Sequence, residues 1–156
     1  MGTNHMGRQS IRFPQPPVVR SFASVAGKKE REGPLGDQFT ATVQDTTFGE
    51  KSWERAERRM QQMTLELALE KAGLTDADLD AAFSGDLLNQ CIGSSFSLRN
   101  RGVPTLGLYG ACSTMAESLL LAAMSVSGGY ARTALAMTSS HFASSERQYR
   151  FPLGYG

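Results

Sequence analysis

Apolar residues recur along the chain with two different spacings, and each spacing predicts one kind of element. Between residues 50 and 72 they return every three or four positions, as on one face of a helix. Gly73 follows directly, where many helices end in a left-handed residue. Glu57 and the other charged residues between 54 and 59 are expected to form the wetted face of this helix. The apolar stripe consists of Trp53, Ala56, Met60, Met63 and Leu67.

Short apolar runs without helical spacing predict buried strands. Helical or loop segments separate these runs, and such alternation is typical of an α/β layer with a largely parallel sheet. Residues 18–25 predict an earlier strand, and residues 26–36, rich in Gly and charge, predict a loop. Thr75 and Asp78 have the spacing of a capping box. The three runs are residues 81–85, 105–109 and 133–138.

One predicted helix, residues 115–124, is apolar on nearly every side and follows the 105–109 strand. A helix without a polar face is normally buried. Cys112 stands at its start, near unpaired backbone N–H groups and the positive end of the helix dipole. That environment lowers a thiol pKa or holds an anion, so nucleophilic chemistry and anion capture are both candidates. A small buried apolar cysteine remains the alternative interpretation.

Asp86, Cys112 and His141 each follow a predicted strand, and ligands of parallel sheets bind outside the carboxyl ends of the strands. Each has a structural alternative: Asp86 as a helix cap, and His141 as a satisfied core or capping histidine. Glu117, inside the apolar helix, is either a structural ion-pair partner or a functional carboxylate. Arg147 lies in a segment that is a solvated loop unless it borders a site, where it would contact carboxylates.

Composition narrows the function classes. The chain has 156 residues and a net charge of +1, so no strong field points to nucleic acid. Its two cysteines have no metal-ligand spacing, and no apolar run approaches the roughly 18 residues of a membrane span. No cofactor motif is present. We interpret residues 1–5 as vector-derived and exclude them from the fold.

Several motifs occur in order along the chain and together resemble the stage V sporulation protein AD family, within the thiolase-like superfamily. The resemblance covers about residues 11–156. The motifs are Gly33-Pro-Leu-Gly36, Lys51-Ser-Trp-Glu-Arg-Ala-Glu-Arg58, Gly85-Asp-Leu-Leu-Asn-Gln90, Tyr109-Gly-Ala-Cys-Ser-Thr114, Thr138-Ser-Ser-His141 and Glu146-Arg-Gln-Tyr-Arg-Phe-Pro152.

The resemblance implies a thiolase-like fold of αβαβα layers, of which this chain would supply one half: a mostly parallel mixed sheet with a buried central helix. Members of the family are about twice as long, so residues 6–156 are interpreted as an N-terminal half. The family's role implies a sporulation protein that binds dipicolinic acid, or its calcium chelate, for uptake into the forespore. The family has no established catalytic activity of its own.

The same resemblance implies partners and a place. These are other sporulation channel subunits, peripheral association with the inner forespore membrane through them, and a homodimer joined by the 133–138 strand. The alternative function is a condensing enzyme or acyltransferase with Cys112 as its nucleophile. No metal ligand set is predicted, although Asp86 and Glu117 are the acids available to calcium. The expected ligand-binding residues are Cys112, Asp86, Glu117, Ser140, His141 and Arg147.

Overall fold

Strands and helices alternate in the order that the apolar runs predict. A computed structural model of the chain describes residues 4–87, 91–141 and 143–144. The α-helices are α1 (Lys28–Arg31), α2 (Trp53–Ala72), α3 (Ile92–Leu98) and α4 (Thr114–Ser127). The β-strands are β1 (His5–Met6), β2 (Ser10–Ile11), β3 (Val25–Ala26), β4 (Ala41–Thr42), β5 (Ala81–Asp86), β6 (Thr105–Gly107) and β7 (Ala134–Ser139).

The main sheet has the order β6-β5-β7, and all its strands are parallel. Phe83 on β5 lies opposite Leu106 on β6 and Ala136 on β7, so β5 is central. Crossover helices link the strands, as parallel pairing requires. The predicted α/β class with a parallel sheet is therefore confirmed. Outside this sheet, β1 pairs with β2 antiparallel and β3 pairs with β4 parallel.

Helices pack on both faces of the main sheet. Successive side chains of β5 point to opposite sides, so each face presents apolar residues that a helix covers. Ala82 lies in one core with residues of α2 and α3, and Phe83 lies in the other with Ala122 of α4. This arrangement of helix, sheet and helix is consistent with half of a thiolase-like fold. The first core consists of Leu65, Leu79, Ala82, Leu98, Val103 and Met137, and the second of Phe83, Leu108 and Ala122.

Helix α2 has the predicted extent but presents a different face to the core. Ser52 caps its start by accepting a hydrogen bond from the Arg55 N–H, and Gly73 ends it at φ 66°. The prediction that Glu57 belongs to a wetted face is wrong, because that side chain is only 1% exposed. Hydrogen-bonding partners on the sheet allow a carboxylate to occupy a position that spacing alone assigns to solvent. The fully buried face consists of Ala56, Glu57, Gln61 and Leu65.

Helix α4 follows β6 as predicted, but the described residues cover only one of its sides. Thr114, Ser118 and Ala122 face the sheet and are buried. The opposite side leaves its large apolar residues 42–46% exposed. In this chain the predicted burial of the helix is therefore one-sided. The exposed residues are Met115, Leu119, Leu120 and Met124.

The N-terminal third departs most from prediction. The strand expected over residues 18–25 is reduced to Val25 and Ala26 of β3, and Val18 is 87% exposed. The expected loop over residues 26–36 contains the short helix α1. The Thr75–Asp78 capping box is present, at the start of a 3₁₀ turn. None of the helices in the described ranges combines the length and apolar character that crossing a membrane requires.

Candidate functional site

A cavity of about 360 Å³ lies at the carboxyl edge of the main sheet. Its walls come from the end of β7, the residue after β5, the turn before α4, and α2 with β3. Both apolar and hydrogen-bonding side chains line it, which suits a small ligand with an apolar body and polar ends. The lining residues are Ala23, Ser24, Val25, Met60, Gln61, Thr64, Leu87, Ala111, Cys112, Met115, Thr138, Ser139 and Ser140.

Cys112 lines this cavity and is exposed, within a 3₁₀ turn that leads into α4. The turn is stabilised by hydrogen bonds from the Gly110 N–H to Thr114 Oγ1, 3.2 Å, and from Ser113 Oγ to the Gly110 carbonyl, 2.7 Å. Ala111 adopts φ 48°, a left-handed conformation that costs an alanine about 1 kcal/mol. The cysteine is therefore held on a turn beside the cavity and is not a packed core residue.

Asp86, the last residue of β5, is fully buried and serves as a cap for α3. Its Oδ2 accepts hydrogen bonds from the Ser94 N–H, 3.4 Å, and Ser94 Oγ, 3.2 Å. Its Oδ1 accepts from the Cys91 N–H at 3.3 Å. The structural alternative for this residue is thus the one realised, since these donors belong to the N-cap residue and the first turn of α3. Asp86 does not belong to the cavity lining.

His141 is a buried histidine two residues after the end of β7. Its Nε2 lies 2.9 Å from the Thr46 carbonyl oxygen, which accepts, so Nε2 carries the proton. Its ring centroid lies 5.4 Å from that of Trp53. Within the described part of the chain no hydrogen bond joins it to Cys112. These contacts are those of a core histidine.

The other predicted site residues lie in different surroundings. Ser140 lines the cavity and is exposed. Glu117 is half-buried in the first turn of α4, so close to Gly110 that a Cβ there would collide with its carboxylate. Arg147 lies outside the described residues. Among residues 4–87, 91–141 and 143–144, no cationic side chain lines the cavity, and no group of three or more potential metal ligands occurs.

Two residues of α2 that were not predicted as site residues are connected to the cavity: Gln61 lines it, and Glu57 is hydrogen-bonded to the lining residue Ser139. Glu57 Oε1 accepts a hydrogen bond from Ser139 Oγ at 2.7 Å, and its Oε2 accepts one from Ser144 Oγ at 2.6 Å. Gln61 Nε2 donates to Ser139 Oγ at 2.7 Å, and Gln61 Oε1 accepts from Ser97 Oγ at 2.6 Å. The i, i+4 spacing of Glu57 and Gln61, continued by buried Leu65, is the signal that could have found them.

Burial changes the protonation equilibrium of Glu57. Desolvation is the largest effect and raises the pKa of this carboxyl above its ordinary value. The hydrogen bonds from Ser144 and Ser139 oppose it, since they stabilise the ionised form. The negative charge of Asp86 raises the pKa further, and His141 lowers it. Glu57 is therefore a carboxyl group that titrates closer to neutrality than an exposed glutamate does.

Comparison with known proteins identifies the family. The family described as Stage V sporulation protein AD matches residues 7–156. This chain belongs to that family. A relative named Stage V sporulation protein AD, from Bacillus subtilis (strain 168), is 43% identical over 150 residues. The aligned region covers 96% of this chain and 44% of that relative, so the chain spans less than half of the relative's length.

Membership of the stage V sporulation protein AD family makes this chain a sporulation protein. The resemblance drawn from the sequence motifs is confirmed, and the matched region includes Cys112, Ser140 and Glu57. The cavity at the carboxyl edge of the sheet therefore lies within the part of the chain that the family shares.

Proposed function

We propose that the chain binds dipicolinic acid, or its calcium chelate, in the cavity beside Cys112, as a non-catalytic step in uptake into the forespore. The observation that carries the proposal is the composition of that cavity within a sporulation protein. The polar side chains of Ser139, Ser140 and Gln61 line it. Met60 and Met115 supply apolar surface in the same lining.

These surfaces match the chemistry of the ligand. Dipicolinate is a flat pyridine ring with two carboxylates, so it needs apolar contact for the ring and donors for the oxygens. Sulfur-containing methionine side chains adapt readily to aromatic rings. Arg147 is proposed as a further carboxylate contact, because guanidinium and carboxylate pair in a bidentate manner. Asp86, Glu117 and His141 are proposed to shape the surroundings of the cavity rather than to touch the ligand.

The proposed setting is the inner forespore membrane, with the chain held there peripherally by other sporulation channel subunits. We also propose a homodimer joined through β7. In the described residues β7 pairs with β5 alone, and the apolar side of α4 next to it is exposed. Light scattering at working concentration tests this part: the expected mass is that of two chains, and a monomer contradicts it.

Titration calorimetry of dipicolinate into the chain tests the binding proposal. Ser140→Phe is expected to fill the cavity and weaken binding at least about tenfold, or about 1.4 kcal/mol. Ser95→Phe is the matched control, since Ser95 is an exposed serine of α3 outside the cavity lining. Picolinate, with one carboxylate, is expected to bind more weakly. No heat from wild type at millimolar dipicolinate, or equal affinity of Ser140→Phe and wild type, contradicts the proposal.

A second candidate function is acyl transfer by Cys112. The observation in its favour is an exposed thiol at the cavity, one turn before a 14-residue helix. Incubation with acyl-coenzyme A, followed by intact mass and peptide mapping, tests it. An acyl adduct on Cys112, absent from Cys112→Ser, would support transfer. The absence of adduct across several acyl lengths would reject it.

A further inference from the structure

The layer between the main sheet and helices α2 and α3 changes character along the strands. Near the amino ends of the strands it is apolar, with Leu65 and Leu98 packed on the sheet. Near the carboxyl ends it contains six polar side chains that are each at most 1% exposed. This polar region adjoins the cavity, because Gln61 belongs to both. Its residues are Glu57, Gln61, Ser84, Asp86, Ser94 and Ser97.

Glu57 connects this buried region to the cavity wall. Its two carboxylate oxygens hold Ser139 and Ser144, which lie on either side of Ser140 in the chain. Ser139 and Ser140 line the cavity, whereas Ser144 is buried. One carboxylate therefore holds the chain on both sides of Ser140. A ligand atom in contact with Ser139 would be separated from Glu57 by a single hydroxyl group.

Among the described residues, the groups that face Glu57 come from β5, the segment after β7, α3 and α2 itself. Asp86 of β5 contributes a negative charge, and His141 is the titratable group on the segment after β7. From α3 it meets Gly93, where an added Cβ would lie 3.4 Å from Asp86 Oδ2 and 3.8 Å from Glu57 Cδ. The two buried carboxylates thus flank the same glycine. Within α2 the adjacent polar side chain is the neutral Gln61.

We propose that Glu57 is a positioning residue for anion binding in this cavity and that its protonation is coupled to binding, so that proton uptake occurs at Glu57 when a dicarboxylate binds. The inference rests on the proposed function and adds the coupling of binding to protonation. An anion beside Ser139 raises the energy of ionised Glu57, because like charges repel strongly where water is excluded.

The hydrogen-bond network supplies a route for this response. With Glu57 ionised, the Ser139 hydroxyl donates to Glu57 while it accepts from Gln61. When Glu57 Oε1 gains a proton from solvent, its new O–H donates to Ser139 Oγ. The Ser139 hydroxyl then no longer donates to Glu57, and its O–H turns to donate to the ligand carboxylate in the cavity. Only an O–H bond at Glu57 is formed, and solvent supplies the proton.

Calorimetric titration of dipicolinate at pH 5–8, in buffers of different ionisation enthalpy, counts the protons taken up on binding. If the bound ligand lowers the acid dissociation constant of Glu57 about tenfold, its pKa rises. Wild type is then expected to take up roughly half a proton at the pH midway between the free and bound pKa values. Glu57→Gln, which is neutral and can donate to Ser139, is expected to bind at least as tightly as wild type and to lack the proton uptake seen in wild type. Glu66→Gln is the control, since Glu66 is an exposed glutamate of α2.

Ser139→Ala provides a second variant that keeps Glu57 intact. It is expected to bind dipicolinate more weakly and to take up less proton, because the relay hydroxyl is missing. Binding by wild type without proton uptake, or wild-type uptake in Glu57→Gln, would overturn the inference while leaving dipicolinate binding in place. No binding heat from wild type would instead overturn the proposed function, and the coupling with it.

Discussion

Ser139 Oγ donates a 2.7 Å hydrogen bond to Glu57 Oε1 across 82 positions of sequence. The bond joins the last residue of β7 to the middle of the buried face of α2. Its acceptor is a carboxylate that burial makes costly to ionise. This hydrogen bond therefore links the helix to the sheet, and its acceptor is a titratable group next to the cavity.

The first prediction concerns stability against pH. Because the pKa of Glu57 is raised in the folded chain, the folded state binds more protons than the unfolded state above the ordinary value of 4.5. Stability should fall as pH rises from that value through the folded pKa, by about 1.4 kcal/mol for every tenfold difference between the two acid dissociation constants. Urea unfolding of Glu57→Gln at pH 4–8 should lack this fall. Parallel pH profiles of Glu57→Gln and wild type would show the prediction to be wrong.

The second prediction concerns the close approach of β5 to its neighbours. A Cβ on Gly85 would collide with the Leu108 carbonyl and lie 2.7 Å from Thr114 Cγ2. Gly85→Ala should therefore cost about 1–3 kcal/mol of unfolding free energy, as overpacking does. Gly107→Ala on β6 is the control, because a Cβ there meets nothing nearer than 3.5 Å. Equal midpoints in urea for the two variants would contradict this view of Gly85.

The sheet and its helices could be predicted because their signals are local. Apolar runs located β5, β6 and β7 to within a few residues, and Gly73 marked the end of α2. The rotation of α2 could not be read in this way. Its buried face depends on serines at 139 and 144, far along the chain, that make Glu57 acceptable in the interior. Hydrophobic spacing assigns a carboxylate to water unless its partner is known.

The same reasoning explains the candidate site. Convergence of strand ends predicted where a cavity would form, and Cys112 and Ser140 lie in its wall. Whether a side chain at a strand end faces the cavity or caps a helix depends on the turn that follows, which sequence does not specify. Asp86 and His141 turned inward, to Ser94 and Thr46.

The third prediction concerns the larger core. Leu65 is 1% exposed at the centre of the cluster between α2 and the sheet. Leu65→Ala should lower the free energy of unfolding by about 2–5 kcal/mol, since it removes buried methyl groups and leaves a cavity. Leu35, 66% exposed, gives the matched control, and Leu35→Ala should change stability by less than about 0.5 kcal/mol. Similar denaturation midpoints for the two variants would argue against this core.

The last prediction compares the two thiols. Cys91 Sγ lies 3.0 Å from the Leu108 carbonyl oxygen, to which it donates, and it is partly buried. Desolvation first, and then the charge of Asp86, raises the pKa of Cys91, so less thiolate is present at neutral pH. Cys112 is exposed at the cavity. Iodoacetamide at pH 7.5 should alkylate Cys112 well before Cys91 when rates are followed by peptide mass spectrometry.

Dipicolinate should slow the alkylation of Cys112 and leave that of Cys91 unchanged, because of the two thiols only Cys112 lines the proposed binding cavity. Faster alkylation of Cys91 would contradict the exposure difference, and unchanged Cys112 rates under saturating ligand would count against binding at that wall.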